Sequence, residues 1–377
     1  MSLSLPWRLV PRAQPLQSML VLAPVLAVVL TLVVGLGIFA ALGQNPLIAL
    51  RVFFIDPLTT INGVSELLLK AAPLCLIALG LAVGFRANIW NIGAEGQMYM
   101  GGIFATGLAI AFHESNGGGG GWWLLTAMIV AGAIGGALWA GITAFLRAQL
   151  RTNEILVRLM LTYVADLLVK YLVFGPWQDP QSNNFPFTVS FGDDALFPVF
   201  MNWEWLNVDG WLDGTRLNLS ILLTVIAVPL AWLFMDRSFL GFQLSVAGTA
   251  PAAARYAGYS EKRMVWIALL IGGAAAGLAG VSEVAGPIGQ LNDRWTPLYG
   301  FTAIIVAALG RMRAGGIVLA ALLMALLYLG GEAAQISLQL PKAISQVFQG
   351  LLLMFLLGCD VLVNYRVERR APAGGAA

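Results

Sequence analysis

Charge is scarce in this chain of 377 residues: Asp, Glu, Lys and Arg make up 11% of it, while 59% is hydrophobic. A soluble domain carries roughly a quarter charged residues. The shortage runs along the whole length and is not confined to one anchor, which predicts a polytopic membrane protein. Cysteine is almost absent. Cys75 and Cys359 both lie in apolar runs, which argues against a small disulfide framework and for free buried thiols. His113 is the single histidine, so His-based metal clusters and a Ser-His-Asp site are not expected. No lysine follows a glycine: Lys70, Lys170, Lys262 and Lys342 come after Leu, Val, Glu and Pro. A phosphate-binding loop needs Gly-Lys-Ser/Thr, because backbone N–H groups and the lysine hold the phosphates together. The chain therefore encodes no nucleotide motor, no catalytic residue and no cofactor or metal site. If transport is ATP-driven, ATP and Mg²⁺ act on another chain. The formal net charge of +2 says little about partners, since placement decides, and no nucleic-acid partner is expected.

What the chain does have is apolar runs of bilayer length. A span needs about 20 mainly apolar residues, and on that measure helices are expected near 19–42, 63–85, 92–112, 122–146, 154–175, 217–235, 264–286, 299–310, 315–331 and 341–358. The eighth is too short to cross alone. The first run follows Arg8 and Arg12 and exceeds a usual signal-peptide core, with no clear small-x-small site closing it, so it reads as a retained helix.

Basic residues set the orientation. With a cytoplasmic N-terminus, one side collects Arg86, Arg147, Arg151, Arg237, Arg255, Lys262, Arg263, Arg311, Arg313, Arg366, Arg369 and Arg370. The other holds only Arg51, Arg216, Arg294 and Lys342, the asymmetry that the positive-inside rule requires. Both termini then lie inside, which needs an even number of crossings. Residues 1–18 become a cytoplasmic segment, 19–358 the transmembrane domain, and 359–377 a cytoplasmic tail whose end, Ala371 to Ala377, is expected to be disordered. The external loop at about 176–216 carries Trp177, Trp203, Trp205 and Trp211, suited to the headgroup level or to an external partner. Gly117 to Gly121 reads as a flexible external turn.

The segment Phe85-Arg86-Ala87-Asn88-Ile89-Trp90-Asn91-Ile92-Gly93-Ala94-Glu95-Gly96-Gln97 interrupts this pattern. It places a carboxylate, amides and glycines at a bilayer boundary. Such groups are costly unless they face protein or a water-filled path, so Asn88, Asn91, Glu95 and Gln97 are candidates for the gate or lining of a solute path. A buried structural hydrogen bond is the other reading of Glu95. Elsewhere Asp166/Lys170 and Glu66/Lys70 stand at i,i+4 and suit pairing on one helix face, and Glu283 and Glu332 fall near external helix ends. In the internal loop at about 236–263, Pro251 suits the first turn of a short helix, Ala252, Ala253 and Ala254 favour it, Arg255, Tyr256 and Ala257 follow, and Gly258 ends it. This thin helix suits a groove on another protein, or simply lies on the membrane surface. Gly273, Gly277 and Gly280 let helix backbones approach closely. The spacing leaves open whether the neighbour is this chain or a second one. Gly132, Gly135, Gly136 and Gly141 read the same way.

Asn91 to Gln97 resembles the signature of permease subunits in bacterial ABC importers for simple sugars and nucleosides, and is most similar to the nucleoside branch served by basic membrane lipoproteins. Thr152-Asn153-Glu154-Ile155-Leu156-Val157-Arg158-Leu159-Met160-Leu161-Thr162-Tyr163 looks like the next characteristic helix of that family. Gly248 to Gly258 resembles its cytoplasmic coupling segment, and Gly300 to Arg311 a later one. The resemblance covers about Leu67 to Gly358. It implies an all-α, ten-helix permease of the type II-like importer fold, in the bacterial inner membrane and among its lipids. It also implies a second, different permease subunit, cytoplasmic ATPase subunits that grip the coupling helix around Ala252 to Ala257, and an extracytoplasmic solute-binding protein. The expected function is import of a nucleoside or related sugar by alternating access. A secondary transporter driven by H⁺ or Na⁺, with Glu95 or Asp166 carrying the proton, is the rival reading. No nucleophile-base constellation supports a membrane enzyme.

Overall fold

The computed structural model describes residues 7–12, 17–115, 121–150, 154–205, 207, 210–341 and 343–369. The expected disorder of Ala371 to Ala377 and most of the Gly117 to Gly121 turn lie outside these residues. Among the described residues the long regular elements are helices, with one terminal ribbon. In order it forms β1 (Trp7–Pro11), α1 (Gln17–Ala41), α2 (Pro46–Phe54), α3 (Ile61–Arg86), α4 (Ala94–Ser115), α5 (Trp123–Leu150), α6 (Glu154–Val173), α7 (Ile221–Arg237), α8 (Phe239–Thr249), α9 (Pro251–Tyr256), α10 (Glu261–Glu283), α11 (Tyr299–Leu309), α12 (Ala314–Leu338), α13 (Ala343–Asn364) and β2 (Tyr365–Arg369).

Each of the ten apolar runs is a helix. Among the described residues six helices are long and apolar enough to cross a membrane, or seven if α7 and α8, which meet at 64°, count as one interrupted span. At 11 residues α11 is short, as its sequence indicates. Two further helices were not foreseen. Asn45 caps α2, its Oδ1 accepting from the N–H groups of Leu47 (3.1 Å) and Ile48 (3.5 Å), and Pro46 opens the helix. Ser238 caps α8, its Oγ accepting from Gly241 N–H at 2.9 Å.

Two compact units divide the chain: residues 1–56 with 330–377, and residues 57–329. In the first, α1 packs along α13, and Phe39, Phe53 and Phe348 form its centre, with ring centroids 5.0 to 6.1 Å apart. Here β1 and β2 pair antiparallel, Trp7 opposite Arg369 and Pro11 opposite Tyr365, which joins the two ends of the chain.

The second unit is built on glycine. Along α10, a Cβ on Gly277 would sit 3.0 Å from the Gly132 carbonyl carbon and 3.2 Å from Gly136 Cα on α5. One on Gly273 would sit 2.5 Å from the Gly136 oxygen, and one on Gly280 2.9 Å from Gly102 N on α4. On α3, a Cβ at Gly80 would meet Gly272 Cα at 3.1 Å. The neighbours left open by the small-residue spacing of α10 are thus helices of this same chain, and α10 is the post on which α3, α4 and α5 pack.

Candidate functional site: the α3–α4 turn and the coupling segment

The backbone unwinds where the sequence turns polar. After Arg86 the chain folds back through Ala87–Gly93, with Asn88 N–H bonded to the Phe85 carbonyl (3.0 Å) and Ile89 N–H to the Gly84 carbonyl (2.9 Å). Asn88 takes the left-handed conformation, φ 56°, which asparagine tolerates better than most residues. Its side chain is exposed, and Trp90 Nε1 donates to its Oδ1 at 3.3 Å. The other three candidates point inward. Asn91 and Gln97 are 2% and 1% exposed and exchange two hydrogen bonds, Asn91 Nδ2 to Gln97 Oε1 at 2.8 Å and Gln97 Nε2 to Asn91 Oδ1 at 3.2 Å. Each amide thereby satisfies the other where no water reaches.

Glu95 is 0% exposed. Its Oε2 accepts from Gly300 N–H at 2.5 Å, and its Oε1 from the Thr296 hydroxyl. Gly300 lies in the first turn of α11, whose N–H groups lack helical acceptors. The residue before α11 is Leu298, left-handed at φ 65° and without a capping side chain. Glu95 supplies the missing acceptor from 205 residues away in sequence, a carboxyl oxygen set at the unfilled N-terminus of the helix. Only glycine fits at 300, since a Cβ there would sit 2.6 Å from Glu95 Cα. Beyond it, the Tyr328 hydroxyl lies 2.7 Å from Thr302 Oγ1 and donates to the Pro297 carbonyl at 3.0 Å, which fixes the segment carrying Thr296.

Behind this turn stands α6. Arg158 is fully buried and donates through Nη1 to the Trp90 carbonyl, with its stem against Gly93. Thr162, one turn later, lies against Gly96. The sequence singles out Glu95 but not its partners: Thr296 and Gly300 are distant in the chain, and Gly300 stands out only as the first residue of the family-like segment Gly300 to Arg311. Arg158 is a charge in an apolar run, and nothing beside it in sequence indicates the Trp90 carbonyl as its partner. Asp166 and Lys170 do pair, at 2.7 Å. Glu66 bonds Arg216, just before α7, at 2.8 Å.

The connection between α7 and α10 forms α8 and α9. Pro251 opens α9, and Gly258 follows its end with φ 79°, as its sequence predicts. Ala254 is buried, while Ala252, Ala253, Arg255, Ala257 and Gly258 are exposed and Tyr256 is 97% exposed. A cavity of about 150 Å³ lies between this segment and the turn, with Ala87, Asn88 and Ile89 on one wall and Gly248, Pro251 and Ala254 on another. Among the described residues no three His, Cys, Asp or Glu side chains group as a metal site.

The family described as "branched-chain amino acid transport system / permease component" matches residues 63–357. The chain is 36% identical to a glucose ABC transporter permease protein of Haloferax volcanii, over 91% of this chain and 89% of that one. It is 28% identical to a nucleoside ABC transporter permease protein of Lactococcus lactis, over 94% of each. It is 29% identical to a guanosine ABC transporter permease protein of Bacillus subtilis, over 89% and 92%. No solved structure matches it.

Proposed function

We propose a cargo and a route for this chain, which belongs to the ABC-importer family of permease components: a nucleoside, or a related simple sugar, crosses the membrane beside the α3–α4 turn by alternating access. The chain is a membrane-spanning transport subunit and not itself an ATPase. The relatives named for guanosine, nucleosides and glucose support the choice of cargo. Such solutes are neutral and rich in hydroxyls, so amide and carboxylate hydrogen bonds suffice to pass them, and weak binding favours release.

The observation that carries the reading is the shared cavity: the turn holding Asn88 and the helix holding Ala254 face each other across it. In this conformation Asn91, Gln97 and Glu95 bond within the protein and are buried. They form the closed gate, and Asn88 lies on its accessible side. Opening exchanges these bonds for bonds to solute or water. Cytoplasmic ATPase subunits carrying ATP and Mg²⁺ seat on α9, where Tyr256 presents a large exposed ring of the kind that anchors interfaces. A different permease subunit completes the pore, and an extracytoplasmic binding protein delivers the solute. The ten expected crossings follow the type II-like importer fold, in a bacterial inner membrane with both termini cytoplasmic. The pairing of β1 with β2 supports one side for both ends.

The test is uptake of labelled purine nucleosides, pentoses and glucose by cells expressing this chain with its neighbouring ATPase, permease and binding-protein genes. Saturable nucleoside uptake, abolished when Ala254 and Ala257 are made bulky, is the expected result. Sugar uptake alone would keep the machine and change the cargo. Uptake indifferent to the bulky substitutions would refute the coupling role of α9.

A further inference from the structure

Arg86, the last residue of α3, grips a second element at two points. Its Nη1 donates to the Met235 carbonyl and its Nη2 to Asp236 Oδ1, each at 2.6 Å. Both acceptors belong to the last turn of α7, where carbonyls lack helical donors and the dipole favours a cation. Immediately after them the chain bends by 64° into α8, and Gly241, in the first turn of α8, lies against the Met235 carbonyl. The guanidinium is thus fastened at the elbow.

The far end of α8 returns to the same place. A Cβ on Gly248 would lie 2.9 Å from the Ala87 carbonyl carbon and 3.0 Å from its Cα, so the backbones of α8 and of the α3 terminus touch there. One turn later Pro251 opens α9. The side chain of Arg86 therefore holds the end of α7 that leads into α8, and the backbone beside it supports the far end of α8. A single fully exposed ion pair contributes little, but the Arg86 side chain is only 21% exposed and its planar fork fixes direction as well as distance.

We propose that Arg86 is a positioning residue that pins the α7–α8 elbow to the end of α3, so that motion of the coupling segment reaches the Ala87–Gly93 turn and the Asn91–Gln97 and Glu95 closure. Without the pin, α8 and α9 swing on the elbow while the turn stays still. This inference rests on the coupling role proposed above for α9.

The test uses the complete importer in proteoliposomes: this chain, its partner permease, the ATPase subunits and the binding protein. The readout is ATP hydrolysed per solute carried. Arg86→Gln and Arg86→Lys are expected to keep ATPase copurification within about twofold and to raise that ratio at least about tenfold. Lysine keeps the charge but loses the two-point grip. Asp236→Asn, which leaves the Met235 carbonyl in place, raises the ratio less. Gly248→Ala breaks the second contact independently and raises it as well. An unchanged ratio in the Arg86 variants overturns the inference; should they fail to assemble, an unchanged ratio in Gly248→Ala does so. Absence of ATP-dependent uptake by the unaltered importer would instead refute the function on which the inference rests.

Discussion

Exchanging one hydrogen for a methyl group should have opposite effects at two glycines of this chain. In a helix interior, Gly→Ala gains about 1 kcal/mol of backbone propensity. At Gly350, within α13, a Cβ meets nothing within 4 Å, so the gain stands alone and Gly350→Ala stabilises by about 0.5 to 1 kcal/mol. At Gly277 the new Cβ would lie 3.0 Å from the Gly132 carbonyl carbon and 3.2 Å from Gly136 Cα. Both are backbone atoms, unable to rotate aside. Overpacking of this kind costs about 1 to 3 kcal/mol, and in a bilayer close backbone approach is itself a main source of helix association. Immobile backbone at the contact puts the cost in the upper part of that range, about 2 to 3 kcal/mol, and offsetting the propensity gain of about 1 kcal/mol leaves Gly277→Ala destabilised by about 1 to 2 kcal/mol. Thermal scans of the purified chain, followed by loss of its monodisperse peak, should show a midpoint lowered by about 2 to 5 °C for Gly277→Ala and raised by about 1 to 3 °C for Gly350→Ala. A Gly277→Ala variant as stable as the unaltered chain would refute the α10–α5 packing.

Four other substitutions test the site. Asn91→Ala and Gln97→Ala each orphan a buried amide and should each cost about 1 to 3 kcal/mol. The double variant should cost clearly less than their sum, and strict additivity in denaturation would show that the two amides do not bond. Glu95→Ala leaves Gly300 N–H and Thr296 without their acceptor; it should cut uptake about tenfold or more while membrane abundance changes less than about twofold. Equal losses in uptake and abundance would make Glu95 purely structural. Tyr256→Ala should leave abundance unchanged, because the ring touches little in its own chain, and should weaken ATPase copurification about tenfold or more. Undiminished copurification would move the docking point elsewhere.

The parts legible in the sequence are those written in local pattern. Apolar runs of bilayer length located ten helices, and the polar insertion at Asn88 to Gln97 located the unwound turn. Pro251 and Gly258 bracketed α9. The capping residues Asn45 and Ser238 were equally local signals, but α2 and α8 are shorter than a span, and span-length reading passed over them. Other features depend on partners that no local pattern names. β1 and β2 stand at opposite ends of the chain. Glu95 reads as a polar group in search of a role, and its role is set by the unfilled N-terminus of α11, over 200 residues on. Gly273 and Gly277 announced close packing, yet nothing near them announced Gly132 and Gly136 as the surfaces they pack against.

The central claim is that this chain moves solute with energy supplied by another polypeptide. The most direct measurement is solute uptake into vesicles holding the complete importer, compared with the same importer whose ATPase subunits lack their phosphate-binding lysine. Uptake that vanishes with that lysine and ignores a protonophore is the predicted result. Uptake that survives the loss of the lysine and collapses with the protonophore would contradict the account and make the chain an ion-coupled transporter.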